Sequence, residues 1–127
     1  MNRSFRITVN VLWALFILAA STIGVGVNLP NTLSDLVAWD KIAHAMVYTI
    51  FGLLLYLFWK IFFNSRKAML WSWLVAVFYG IAMEVVQYSF FPNRYFEIFD
   101  IFANIVGATI SLLLIYFLTD KKSQSYG

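Results

Sequence analysis

Four apolar runs, at 7–29, 42–63, 68–91 and 98–119, leave this chain few ways to fold. Each exceeds the roughly 20 residues a helix needs to cross the hydrocarbon core of a bilayer. None shows the continuous polar face that a helix on a soluble core turns to water. In lipid every backbone amide must be satisfied internally, and a helix does this within one segment. Composition agrees. The 127 residues are 62% hydrophobic and 12% charged, against about a quarter charged in soluble domains. The expected fold is all-α, an integral membrane four-helix bundle forming a single domain over residues 1–127.

The first run also has features of a signal peptide, with Arg3 and Arg6 ahead of it and Ala19-Ala20-Ser21 as a cleavage-like triplet. A signal's apolar core spans only about 7–15 residues. This run continues unbroken through 23–27, so an uncleaved helix is the preferred reading. Orientation follows from the basic residues. Arg3, Arg6, Lys60, Arg66, Lys67, Lys121 and Lys122 fall on one side of the four runs, and only Lys41 and Arg94 on the other. The positive-inside rule then places both termini in the cytoplasm. The outer side holds two loops, around 29–40 and 92–97. No basic cluster resembles a nucleic-acid surface, so no nucleic-acid partner is expected. The absence of cysteine excludes disulfides, thiolate metal sites and cysteine nucleophiles.

Shifted by 60 residues, the second run partly matches the fourth: Asp40 falls on Asp100, His44 on Asn104, Thr49 on Thr109 and Tyr56 on Tyr116. Trp13 falls on Trp73 at the same offset. Two parallel hairpin repeats about an axis along the membrane normal are one reading. Chance similarity between apolar segments is the other.

The strongly polar residues inside the runs are expected near the outer ends. Asp40, His44 and Tyr48 recur at i, i+4 and i+8, with Lys41 beside them. Glu84 and Gln87 are at i, i+3 on the third run. Arg94 sits in the second outer turn, and Glu97, Asp100 and Asn104 open the fourth run on one helical face. The inner half reads as almost purely apolar. An Asp at mid-helix costs about 2.5–3.5 kcal/mol to insert, so these groups are expected to face one another or an aqueous cavity. Asp40, Glu84, Glu97 and Asp100 outnumber Lys41 and Arg94. The site therefore needs a protonated His44, a protonated carboxyl, a bound cation or a cationic ligand group.

Several readings compete for these residues. Asp40, His44, Glu84 and Asp100 are the candidate catalytic set, with His44 as a general base oriented by a carboxylate. The plainer reading is a buried polar pair that holds helix register. Lys41, Gln87, Arg94 and Asn104 are the candidate ligand-binding set, Arg94 as a clamp for phosphate or carboxylate or as an ion-pair partner of Glu97 or Asp100. Carboxylates and imidazole form a workable metal set, but no recognised metal spacing is present. Neither a metal nor any other cofactor is expected.

The segments at 40–52, D-K-I-A-H-A-M-V-Y-T-I-F-G, at 84–87, E-V-V-Q, and at 94–107, R-Y-F-E-I-F-D-I-F-A-N-I-V-G, resemble the VanZ-like family of bacterial membrane proteins. That family pattern pairs Asp-Lys-x-x-His with Glu-x-x-Gln and with Arg followed by Asp-x-x-x-Asn-x-x-Gly. Carried over, its polar set falls on Asp40, Lys41, His44, Glu84, Gln87, Arg94, Asp100, Asn104 and Gly107. Asn93 replaces a glycine often seen before the family's arginine. The resemblance implies a cell-envelope role in the bacterial cytoplasmic membrane. The family is named for a protein giving low-level resistance to the glycopeptide teicoplanin.

Together these readings describe a multi-pass membrane protein with a polar pocket facing the outer leaflet. The pocket is expected to bind, or to modify, an envelope lipid or lipid-linked headgroup. The alternatives are a structural partner subunit whose polar ring only holds helices together, and a proton- or ion-coupled transporter. A four-helix bundle of this size can pair with a second copy, although no face announces a homodimer.

Overall fold

A computed structural model of the chain describes residues 1–23, 33–90 and 98–125. Its elements are α1 (Arg3–Ile23), α2 (Leu33–Trp59), α3 (Ser65–Phe90) and α4 (Ile98–Ser125). All four are long and apolar enough to cross a membrane, and the described residues contain no strand. The all-α four-helix expectation therefore holds.

The boundaries depart from the apolar runs where polar residues extend or end a helix. α2 begins at Leu33, so 33–40, expected in the first outer loop, is helix. Leu33, Leu36 and Val37 repeat at helical spacing there, although Ser34 and Asp35 break the apolar run. α2 ends at Trp59 rather than at 63 because Asn64 caps α3: its side-chain oxygen accepts from the Lys67 amide at 3.0 Å. The intervening turn is tightened by Ile61 and Phe62 amides donating three residues back to Phe58 and Trp59. α4 runs past 119 to Ser125, since 120–125 contains no Gly or Pro to stop it. Residues 24–29 of the first run and all of 91–97 lie outside the described residues.

α2 is the hub. It packs against all three other helices, whereas α1 does not reach α4 among the described residues. Small residues let α2 and α4 approach closely. A methyl group at Gly52 would overlap the Ser111 hydroxyl and lie 2.8 Å from its Cβ. A methyl group at Gly107 would overlap the Ala45 carbonyl oxygen and lie 3.0 Å from that residue's Cα. The Thr49 hydroxyl crosses the same seam, 2.7 Å from the Ala45 carbonyl and 3.0 Å from that of Gly107. α3 presents a stripe of buried small and polar residues, Ala68, Ser72, Ala76, Gly80, Glu84 and Gln87. Their three- and four-residue spacing keeps them on one face.

α1 is held largely by side chains reaching backbone carbonyls, each of which has a second lone pair to offer. Arg6 donates to the Leu57 carbonyl at 2.8 Å and Asn10 to that of Leu54 at 2.9 Å. Trp13 donates to Val47 at 3.2 Å. Tyr79 and Gln87 of α3 donate to Ala14 at 2.6 Å and to Ser21 at 2.9 Å. Asn10 corrects the expectation of an almost purely apolar inner half, because it is a strongly polar residue far from the Asp40 end of the bundle.

Substitutions along the α2–α4 seam should separate side-chain from backbone crowding. Gly52→Ala should destabilise the bundle by about 1–3 kcal/mol, the usual cost of overpacking, and Ser111→Gly should restore most of it. Gly107→Ala should be equally damaging but resist rescue by Ala45→Gly, because the obstacle is backbone. Thermal unfolding in detergent measures both. Equal rescue at the two sites would contradict the packing described.

Candidate functional site

The polar residues of α2, α3 and α4 meet at the end of the bundle where α1 and α3 finish and α2 and α4 begin. Helical spacing puts Asp40, Lys41, His44 and Tyr48 on the side of α2 that faces α4 and α3. Asp100 and Asn104, one turn apart on α4, come opposite them. The Lys41 ammonium bonds the Asp100 carboxylate through Oδ1 and lies 3.3 Å from Asp40 Oδ2. The imidazole of His44 takes the other oxygen of each carboxylate: its Nε2 is 3.6 Å from Asp40 Oδ1 and 3.8 Å from Asp100 Oδ2. Its Nδ1 is 3.1 Å from Asn104 Oδ1. The Asn104 oxygen thus faces Nδ1, while Nε2 is the ring nitrogen turned toward the two carboxylates.

Burial grades across this cluster. The Asp40 side chain is 52% exposed, those of Lys41 and His44 are 21% and 24%, and that of Asp100 only 9%. Asn104, Glu84 and Gln87 are buried. Glu84 lies within electrostatic reach of the Tyr48 hydroxyl. The polar layer is thus open at Asp40 and closed behind His44.

Beside this layer is a cavity of about 340 Å³ between α1, α2 and α3. Asp40, His44, Tyr48 and Gln87 form its polar side, and Phe16, Ile17 and Val47 its apolar side. Of the candidate catalytic set, Asp40 and His44 reach the cavity. Asp100 supports them from behind, and Glu84 lies in the adjoining buried layer. Of the candidate ligand-binding set, Gln87 lines the cavity while Asn104 orients His44. The charge of Lys41 is engaged by Asp100 and Asp40. Arg94 and Glu97 lie outside the described residues. Asp40, His44 and Asp100 could hold a metal, since one ligand atom from each falls within 4.8 Å of the others. What sequence reasoning missed is the contribution of α1, whose Phe16, Ile17, Ala20 and Ser21 close the cavity. Nothing in an apolar stretch marks such a wall.

A bundle of four membrane-length helices with a polar layer at one end defines a class of small multi-pass membrane proteins. Within that class the chain belongs to the VanZ/LLP1 family, whose model matches residues 3–119. An uncharacterized protein of Schizosaccharomyces pombe is 32% identical over 115 residues, covering 90% of this chain and 66% of the relative. The chain thus spans just under two thirds of that relative's length. No solved structure matches.

The Lys41–Asp100 contact can be tested by a double-mutant cycle. Lys41→Met should destabilise by about 3 kcal/mol, since a nearly buried carboxylate then loses its ammonium. The double variant Lys41→Met/Asp100→Leu should be less damaged than the sum of the single changes by at least about 1 kcal/mol. Asp40→Asn, at a half-exposed position, should cost under about 1 kcal/mol. Additive single effects would show that the two charges do not depend on each other.

Proposed function

We propose that the protein binds the headgroup of a membrane lipid or lipid-linked envelope precursor in the cavity between α1, α2 and α3. One observation carries this reading: the cavity joins an apolar wall on α1 to a polar head at Asp40, His44, Tyr48 and Gln87. That is the arrangement an amphiphile needs, with its chain along Phe16 and Ile17 and its head against the carboxylate and imidazole. The lining favours a headgroup that offers hydroxyl or amine donors, because Asp40, Tyr48 and Gln87 all have oxygens that accept them. His44, with Nδ1 on Asn104 and Nε2 toward the carboxylates, is the group best placed to move a proton if a headgroup is also modified. The positive-inside asymmetry supports a cavity at the outer leaflet, and the resemblance to a bacterial family supports a bacterial cytoplasmic membrane. An envelope role, including altered teicoplanin susceptibility, would be a consequence of that binding.

A second reading has its own support. His44–Asn104 and Lys41–Asp100 both join α2 to α4, as expected of a polar ring that serves assembly alone. Native mass spectrometry of protein released from its own membrane in mild detergent separates the two. A retained lipid in the wild type, lost in Ala20→Trp, which fills the cavity from its exposed rim, supports the binding reading. His44→Gln should then keep the fold and lose the lipid. An unchanged lipid complement in Ala20→Trp, or collapse of the bundle in His44→Gln, would favour assembly instead.

A further inference from the structure

We propose that Asp40, His44 and Asp100 form a binding site for one divalent transition-metal ion, zinc foremost, with Lys41 and Asn104 as its outer partners. The site shares Asp40 and His44 with the proposed lipid cavity, but its argument does not rest on lipid binding.

The three ligand atoms face one another. Nε2 of His44 lies 3.6 Å from Asp40 Oδ1 and 3.8 Å from Asp100 Oδ2, and all three lie within 4.8 Å. Zinc bonds to imidazole and carboxylate are about 2.0–2.2 Å, so tetrahedral ligands stand roughly 3.4 Å apart. The two gaps to His44 close by a few tenths of an ångström, and the gap between the carboxylate oxygens, at most 4.8 Å, by up to about 1.4 Å through rotation of the half-exposed Asp40 side chain. A wider gap would need backbone movement. A much narrower one would leave no room for an ion.

Each ligand is also held from behind, and this distinguishes the cluster from a chance group of acids. Metal-bound histidine regularly hydrogen-bonds through its second nitrogen, and metal-bound carboxylates through their second oxygen. Here Nδ1 of His44 is on Asn104 Oδ1 at 3.1 Å. The remaining oxygens of both carboxylates share the Lys41 ammonium. Lys41 therefore need not leave for an ion to enter. It neutralises one carboxylate charge on the far side from the ion while the near oxygens converge on Nε2.

Donor chemistry narrows the ion. One imidazole and two carboxylates, without sulfur, suit zinc or manganese better than copper(I), and the imidazole favours zinc over magnesium or calcium. Three protein ligands leave the ion's remaining positions open, as in zinc sites that take an exchangeable group. Asp40 and His44 both line the cavity, so those positions face it.

The test uses full-length, tag-free protein in detergent, stripped with chelator and dialysed against Zn²⁺, with elemental analysis by mass spectrometry. About one zinc per chain is expected for the wild type. Asp40→Asn and His44→Gln should each bind at least about tenfold more weakly, and Zn²⁺ should raise the unfolding temperature of the wild type only. Co²⁺ provides a second readout, since its visible absorption on an imidazole–carboxylate set should vanish in His44→Gln. Substoichiometric zinc in a wild type shown to be folded would overturn the proposal. So would zinc binding unchanged in both variants. Asp40→Asn, at a half-exposed position, keeps the test informative if His44→Gln fails to fold.

Discussion

The close approach of α2 and α4 is the constraint from which the other features follow. In a bilayer, apolar side chains gain nothing by leaving lipid for protein, so helices associate through packing and polar contacts. Gly52 against Ser111 and Gly107 against Ala45 remove the side chains that would hold the two backbones apart. With the axes close, the start of α4 comes within reach of the side chains Asp40, Lys41 and His44. The ion pair between Lys41 and Asp100 and the contact between His44 and Asn104 exist because of that spacing. The polar layer is thus a product of small residues as much as of charged ones.

The remaining helices serve this pair differently. α3 lies against both and supplies Glu84 and Gln87 from a stripe of otherwise small residues. α1 adds no charged group to the polar layer. Its side chains donate to backbone carbonyls of α2 and its own carbonyls accept from Tyr79 and Gln87 of α3, and in doing so it closes a cavity over Asp40 and His44. Its second role depends on the first: without the bonds from Gln87 to Ser21 and from Tyr79 to Ala14, the apolar wall would have no fixed distance from the polar head. Carboxylates, imidazole and ammonium in one layer favour a compact exchange of charge among Asp40, Lys41, His44 and Asp100 over isolated ions in lipid.

Much of this was legible beforehand because polar residues in apolar runs are expensive and therefore conspicuous. Asp40, His44, Glu84, Gln87, Asp100 and Asn104 stood out against their neighbours, and helical spacing grouped them by face. Asn10 is equally polar, but it is uncharged and falls at the inner end of its run, away from the spacing that groups the other polar residues. Its role, bonding the Leu54 carbonyl, is structural. The early start of α2 at Leu33 is not marked by continuous apolarity, because Ser34 and Asp35 interrupt the apolar residues of its first turns.

The sequence by itself determined the number of helices, that each is long enough to cross a bilayer, and the residues that would have to find partners. Those follow from local rules: the 1.5 Å rise of a helix, the thickness of a bilayer and the cost of an unpaired charge. Which partner each residue takes was decided only by the tertiary structure. Asp100 could have met Lys41 or His44, or neither, on sequence alone. The register of α4 against α2, set by Gly107 on Ala45, gives it Lys41 through one oxygen and His44 through the other. The cavity is likewise a tertiary fact, because Phe16 and Ile17 resemble any lipid-facing residues until α1 is docked. Pairing depends on distances between segments far apart in the chain, and no local pattern carries those distances.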